Sequence, residues 1–293
     1  MKVTRLENTA KREGGRTVAL GVFDGVHLGH RRVIEGSQSV LTFEPHPMSV
    51  LAPERAPLLL TTLERKAQLV EQVGAQELIV IPFDRDFSQL SAEQFVDEVL
   101  IERLGAVSVA VGENFRFGNK AKGDAAMLAA DRRFSTAVHP LLSLDGQIVS
   151  STRIRELIGA GDVAGARRLL GAPFQLRGTV VAGDRRGREL GFPTANIVPD
   201  PFYALPAHGV YAARCGEREA AVSIGLRPTF DDRQGELVEV HLIDFSGDLY
   251  GRQLEVDFVE RLRGEERYED VSALVEQMER DVAQASEVLQ SAP

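Results

Sequence analysis

The feature that most restricts the fold is an alternation of short apolar runs with capped helical segments, which stops at Ala172-Pro173. Five runs rich in Val, Ile and Leu read as buried strands: Thr17–Val22, Val40–Phe43, Glu77–Ile81, Val107–Val111 and Ala137–Leu142. Between several of them the helix-end signals are explicit. Thr61-Thr62-Leu63-Glu64 has the form of a capping box and Gly74 closes that helix. Ser91-Ala92-Glu93-Gln94 is a second box, with Gly105 as the stop. Strand–helix alternation implies a parallel sheet covered by helices. Such sheets bind ligands beyond the carboxyl ends of their strands.

The residues with chemistry to offer fall at those ends. Gly21-Val22-Phe23-Asp24-Gly25-Val26-His27-Leu28-Gly29-His30 follows the first run as a glycine-bracketed turn with two histidines three residues apart. With His30 opening a helix, both imidazoles lie on one face near its N-terminus, where free N–H groups and a partial positive charge suit a phosphate. Gly29 removes a Cβ where a phosphate chain would come close. Glu44-Pro45-His46-Pro47 follows the second run, Phe83-Asp84-Arg85-Asp86 the third and Gly112–Gly118 the fourth. After the last comes Ser150-Ser151-Thr152-Arg153-Ile154-Arg155, hydroxyls able to cap a helix followed by two arginines suited to bidentate contact. Together they predict a nucleotide-type site at one edge of the sheet.

Charge narrows the class of partner. A net charge of -9 argues against a general nucleic-acid binder, so an anionic ligand must be held by local positives, helix ends or a divalent metal. Cys215 is the only cysteine, which leaves no intrachain disulfide and reads as a small apolar filler in a reducing, cytoplasmic protein. Met1 to Gly15 is polar and lacks the apolar centre of a signal peptide, and no apolar run approaches the ~20 residues that cross a bilayer.

After Arg155 the pattern predicts a helix and then a second short one, capped by Asp162 and closed by Gly171. The domain boundary is therefore placed near Gly171, dividing the chain into residues 1–171 and 172–293. Beyond it Phe174–Ala182, His208–Cys215, Glu219–Ile224, Leu237–Ile243 and Gln253–Leu262 read as strands separated by turns, an antiparallel barrel or sandwich. Asp270 then caps a helix whose apolar stripe, Val271, Leu274, Val275, Met278, Val282, Ala285 and Leu289, is expected to pack on the barrel.

Two constellations stand out here. Gly183-Asp184-Arg185-Arg186-Gly187-Arg188-Glu189-Leu190-Gly191-Phe192-Pro193-Thr194-Ala195-Asn196 is a glycine- and arginine-rich segment that suits a phosphate cover. It ends in Thr194 and Asn196, hard oxygen ligands on one side of an extended chain, suited to Mg²⁺ accompanied by phosphates. Glu239, flanked by Val238 and Val240, falls on the polar face of an alternating strand.

On Gly21–His30, Thr42–Pro47, Gly112–Gly118 and Ser150–Arg155 the first half resembles the adenylyltransferase half of bacterial bifunctional riboflavin kinase/FAD synthetases. The second half, on Gly187–Ile197, Gly209-Val210-Tyr211, Ile224-Gly225 through Pro228-Thr229-Phe230, and Glu239 to Gly251, resembles their riboflavin kinase module. The likeness runs over nearly the whole chain in family order. It implies an α/β N-terminal domain with a Rossmann-like parallel sheet of the nucleotidyltransferase type, and a C-terminal β-barrel domain with a terminal helix. By resemblance, His27 and His30 stabilise the transferring ATP phosphates, while Ser151, Thr152 and Arg155 hold the triphosphate. Gly21, Phe23, Asp24, Gly29 and Asn114 line the nucleotide and flavin pocket, and His46 shapes its flavin side. In the second half the resemblance makes Gly187 part of the binding loop, Thr194 and Asn196 the holders of metal and nucleotide, and Glu239 the base for the riboflavin 5′-hydroxyl. The implied substrates and products are riboflavin, FMN, FAD and ATP, with Mg²⁺.

Two departures bear on this. Only Arg31 to Ser39 separates His30 from the next strand, where the family carries a full helix and loop, so the helix is a stub or the segment has lost residues. Ser223 stands where the family more often shows Asn, at a position expected to support a turn. The leading expectation is a bifunctional enzyme. The alternatives are a riboflavin kinase with an impaired front domain, or a non-catalytic flavin- or nucleotide-binding regulator.

Overall fold

The computed structural model describes residues 1–183, 187, 190–226 and 235–291. The chain divides into two compact units, Met1–Ser151 and Thr152–Pro293.

In the first unit the strands are β1 (Lys2–Arg5), β2 (Arg16–Leu20), β3 (Ser39–Glu44), β4 (Glu77–Pro82), β5 (Ala106–Gly112), the short ribbon β6 (Arg116–Phe117) and β7 (Gly123–Asp124), β8 (Ser135–His139), and a second ribbon, β9 (Ser143–Leu144) and β10 (Gln147–Ile148). The helices between them are α1 (Leu28–Ile34), α2 (Pro47–Leu51), α3 (Leu63–Gln72), α4 (Ala92–Gln94, continued as a π-helix over Phe95–Arg103) and α5 (Ala125–Ala130). Six strands form a parallel sheet in the order β1-β4-β3-β2-β5-β8. Its buried side chains, among them Val18, Leu20, Leu41, Ile79, Val109 and Val111, pack against Phe95, Val99, Leu100 and Leu104 of the α4 segment. Strands covered on both faces read as continuous apolar runs, which is why the first four expected runs are strands; the fifth, Ala137–Leu142, is a strand only as far as His139, at a mostly exposed edge of the sheet. β1 escaped that reading because it is a polar, mostly exposed edge strand, paired in parallel to β4.

One local expectation changes. The cap of α3 is Thr62, whose hydroxyl accepts from the Arg65 N–H (3.1 Å), so Thr61 is released for other contacts. The Arg31–Ser39 connection is short, with α1 ending at Ile34, and the sheet still forms around it. Counted from β2, the crossover runs from Gly21 to Gln38, beyond the ~10–12 residues one needs. It contains α1, and β3 then pairs in register with β2.

The second unit continues from α6 (Ser151–Gly159) through α7 (Val163–Leu170), capped by Asp162 and closed by Gly171 in the left-handed region (φ 71°). Six strands then close a barrel in the order β11-β12-β15-β14-β13-β16: β11 (Phe174–Val181), β12 (Ala195–Ile197), β13 (Gly209–Cys215), β14 (Arg218–Leu226), β15 (Glu236–Leu242) and β16 (Gln253–Arg263). Ser223 lies inside β14, not in a turn. α7 packs on β11 and β16. The terminal helix α8 (Val271–Ser291) sets Ala285 and Leu289 against Ala212, Ala221 and Val259 of the barrel. Val271, the first member of its stripe, is 61% exposed, whereas Asp281 is buried on that helix by an ion pair with Arg263. Cys215 is buried, and burial pushes its thiol up to about 12. No helix among the described residues is long and apolar enough to cross a membrane.

Two candidate active sites

The first site is built where the strand order reverses. β3 lies on one side of β2 and β5 on the other, so the turns after β2 and β5 flank the switch point of the sheet. After β2 the chain reverses through Phe23 (φ 51°), Gly25 (φ 86°) and Val26 (φ 41°). Gly21 is required here, since a Cβ would sit 2.9 Å from the Phe23 ring. The Asp24 carboxylate is buried and accepts from the Leu60 N–H (2.9 Å), the Thr61 N–H (3.2 Å) and the Thr61 hydroxyl (3.3 Å). Thr61 in turn accepts from the Gly25 N–H (3.1 Å). Ser151 donates to the Asp24 carbonyl (2.9 Å), which ties the distant end of the unit to the same turn.

His27, not His30, is the cap of α1. Its Nδ1 accepts from the His30 N–H (3.2 Å), which leaves Nε2 to carry the proton of the neutral ring. The two imidazoles stack with centroids 3.5 Å apart at 17°, and Phe23 meets His30 edge-on at 5.3 Å. Gly29 serves this stack: a Cβ there would lie 3.2 Å from Cε1 and Nδ1 of His27. His46 caps α2 at the end of β3, its Nδ1 accepting from the Met48 N–H (3.1 Å). Asn114 is exposed in the turn after β5, and Asp84 caps the turn after β4 by accepting from the Phe87 N–H. Thr152 and Arg155 lie on α6, within the second unit.

One participant has no sequence signature beyond a polar residue on a helix. Lys66 of α3 is 4% exposed, and its Nζ donates to the Val22 carbonyl (2.9 Å) and the Thr42 hydroxyl (3.3 Å). Burial holds its pKa below the usual lysine value, while Asp24 and Glu44 act in the opposite sense.

The second site lies on the barrel. Asn196 of β12 pairs with Glu239 of β15, and Glu239 pairs with Ser223 of β14, so the three side chains share one face. Val238 and Val240 point the other way and are buried. Residues two apart on a strand share a face, which adds Thr194 and His241 to the group. His241 Nδ1 lies 2.9 Å from the Pro193 carbonyl, and its ring meets Phe192 edge-on at 5.5 Å. Gly183 leaves room for Asn196, since a Cβ would lie 2.2 Å from its amide nitrogen. Gly187 accepts from the Phe192 N–H (2.7 Å) and closes the segment before Thr194. Thr194 and Asn196 line an open pocket of about 560 Å³, walled opposite by Phe245, Asp248 and Tyr250; Glu239 stands beside Asn196 but outside that lining. Asp184, Arg185, Arg186, Arg188, Glu189 and the Pro228-Thr229-Phe230 segment lie outside the described residues.

A nucleotidyltransferase-type parallel sheet joined in one chain to a closed six-stranded barrel defines a two-unit transferase. A family model described as FAD synthetase matches residues 9–153, and one described as riboflavin kinase matches residues 170–289. The bifunctional riboflavin kinase/FMN adenylyltransferase of Listeria monocytogenes is 38% identical over 91% of this chain and 90% of its own. That of Bacillus subtilis is 37% identical over 97% and 96%. A solved structure described as a macrolide-efflux protein from Streptococcus pneumoniae is 29% identical and covers 100% of both chains with a TM-score of 0.86. The protein belongs to the bifunctional riboflavin kinase/FMN adenylyltransferase family.

Proposed function

We infer that this chain phosphorylates riboflavin to FMN and then adenylylates FMN to FAD with release of pyrophosphate. We assign the second reaction to residues 1–171 and the first to residues 172–293. The observation that carries the kinase assignment is the register that sets Glu239 beside Asn196 on one barrel face. A carboxylate within reach of the riboflavin 5′-hydroxyl aligns it for in-line attack on the γ-phosphorus and takes its proton. The hard oxygens of Thr194 and Asn196 fit Mg²⁺ held jointly with ATP phosphates. When bound, that ion neutralises phosphate charge. His241 holds the Pro193–Thr194 segment against the strand of Glu239.

In the first unit the FMN phosphate attacks the α-phosphorus of ATP, and no covalent enzyme intermediate is required. In this reading the Nε2–H of His27, with its ring fixed by the bond at Nδ1, and the stacked His30 donate to the phosphates as charge develops. Ser151, tied to the Asp24 carbonyl, holds the triphosphate. Gly21, Phe23, Asp24 and Asn114 shape the pocket, and His46 borders the flavin. Its ligands are small molecules, and we place the protein in the cytoplasm.

The test is to incubate the purified chain with riboflavin, ATP and Mg²⁺ and to separate the flavins over time. FMN followed by FAD is expected. FMN alone would leave a riboflavin kinase with an impaired front domain, and no conversion would leave a flavin- or nucleotide-binding regulator.

A further inference from the structure

We propose that Lys66 is a positioning residue for adenylyl transfer, its Nζ holding the end of β2 in the one conformation from which Asp24, His27 and His30 project. This rests on the assignment of that transfer to the first unit. An amine at 4% exposure is far from its preferred solvent, and its companions on the buried side of α3, Leu69 and Val70, are apolar. A leucine or methionine would complete that face without desolvating a charge, so the packing of α3 does not account for a lysine.

Its partners do. The Val22 carbonyl accepts from Lys66 Nζ (2.9 Å) and from the Thr42 hydroxyl (2.9 Å), while that hydroxyl also accepts from Nζ (3.3 Å). The three groups form a closed triangle at the last carbonyl before Phe23. Phe23 and Val26 then take left-handed conformations that side-chain-bearing residues adopt at an energetic cost, and such conformations persist when the surroundings over-determine them. α3 does this from both sides. Asp24 holds Leu60 and Thr61 just before α3, and Lys66, in that helix, reaches back to Val22. The ammonium also faces the charges of Asp24 and Glu44, so it offsets anions that would otherwise stand beside a phosphate site. Displacing the turn displaces the stacked imidazoles that follow it. Groups acting on charge that develops during transfer register their misplacement in kcat more than in KM.

The experiment uses the full chain with Lys66→Met, which keeps length and apolar contact but removes donor and charge. FMN adenylylation is measured for kcat and KM, with riboflavin phosphorylation in the same sample counting chains and far-UV circular dichroism reporting whether the first unit is folded. The expected result is a kcat lowered by about tenfold or more, with KM for FMN and ATP within about threefold of wild type. A folded variant with wild-type kcat overturns the proposal. If Lys66→Met does not fold, Thr42→Val decides, because it removes one apex of the triangle and leaves the lysine: a kcat lowered by about threefold supports the proposal, and an unchanged kcat overturns it. A wild-type chain that makes no FAD from FMN and ATP overturns the assignment of the unit, and this proposal with it.

Discussion

Replacing Asp281 with Ala should destabilise the second unit by about 3 kcal/mol. Asp281 accepts from Arg263 Nε (2.9 Å) and Nη2 (2.6 Å), and from Gln277 Nε2 (2.8 Å). The side chains of Arg263 and Asp281 are 18% and 7% exposed, so the pair is largely desolvated, and the bond to Asp281 raises the arginine pKa. Removing one partner of a buried pair costs about 3–5 kcal/mol because the other charge is stranded. The lower end applies here, since Arg263 keeps the Gly264 carbonyl (2.9 Å) and the face of Tyr268 (5.8 Å). With a urea m-value of roughly 2 kcal/mol/M, the midpoint should fall by about 1.5 M. The assay is intrinsic tyrosine fluorescence. The chain has no Trp, and its 4 tyrosines, Tyr203, Tyr211, Tyr250 and Tyr268, all lie in the second unit, so the signal reports that unit alone. The double variant Arg263→Met with Asp281→Leu should recover most of the loss. A single variant that unfolds at the wild-type urea concentration would refute the reasoning. A double variant as weak as the single one would place the loss in packing and not in a stranded charge.

Four further outcomes follow from the sites. Glu239→Gln should lower FMN formation by about 10²–10⁴-fold while supplied FMN is still converted to FAD; FMN production at the wild-type rate would remove Glu239 as the base. His27→Ala with His30→Ala should do the reverse, and unaltered FAD synthesis would take both out of the mechanism. His27→Ala alone also removes the α1 cap, so thermal unfolding of the first unit should report a loss of about 1 kcal/mol. His241→Phe keeps the ring against Phe192 but loses the contact with Pro193, so the KM for Mg·ATP should rise by about fivefold, the equivalent of one hydrogen bond of ~1 kcal/mol. His241→Asn, which retains a donor at the Nδ1 position, should stay near wild type; equal KM values for the two variants would exclude a positioning role.

The sequence by itself determined the elements whose signals are local. Parallel strands buried on both faces must be apolar throughout, and helix ends need particular residues for their unpaired backbone groups. Four runs of the first half, and the caps Ser91, Asp162, Gly171 and Asp270, were therefore readable as written, whereas Ala137–Leu142 forms an exposed edge strand only as far as His139. The stacked histidines were legible as a pair, because three residues along a chain is a helical spacing. Tertiary structure alone decided what depends on partners distant in the chain. β1 and β12 exist because neighbouring strands take their backbone groups, not because Lys2–Arg5 or Ala195–Ile197 carries an apolar period. Thr61 leaves the cap of α3 for Asp24, Gly29 makes room for a ring, Lys66 reaches Val22 from another element, and Asn196 comes beside Glu239 through register. A sequence pattern records the period and burial of its own segment; it holds no record of which distant segment satisfies a buried donor, and that pairing is what the folded chain supplies.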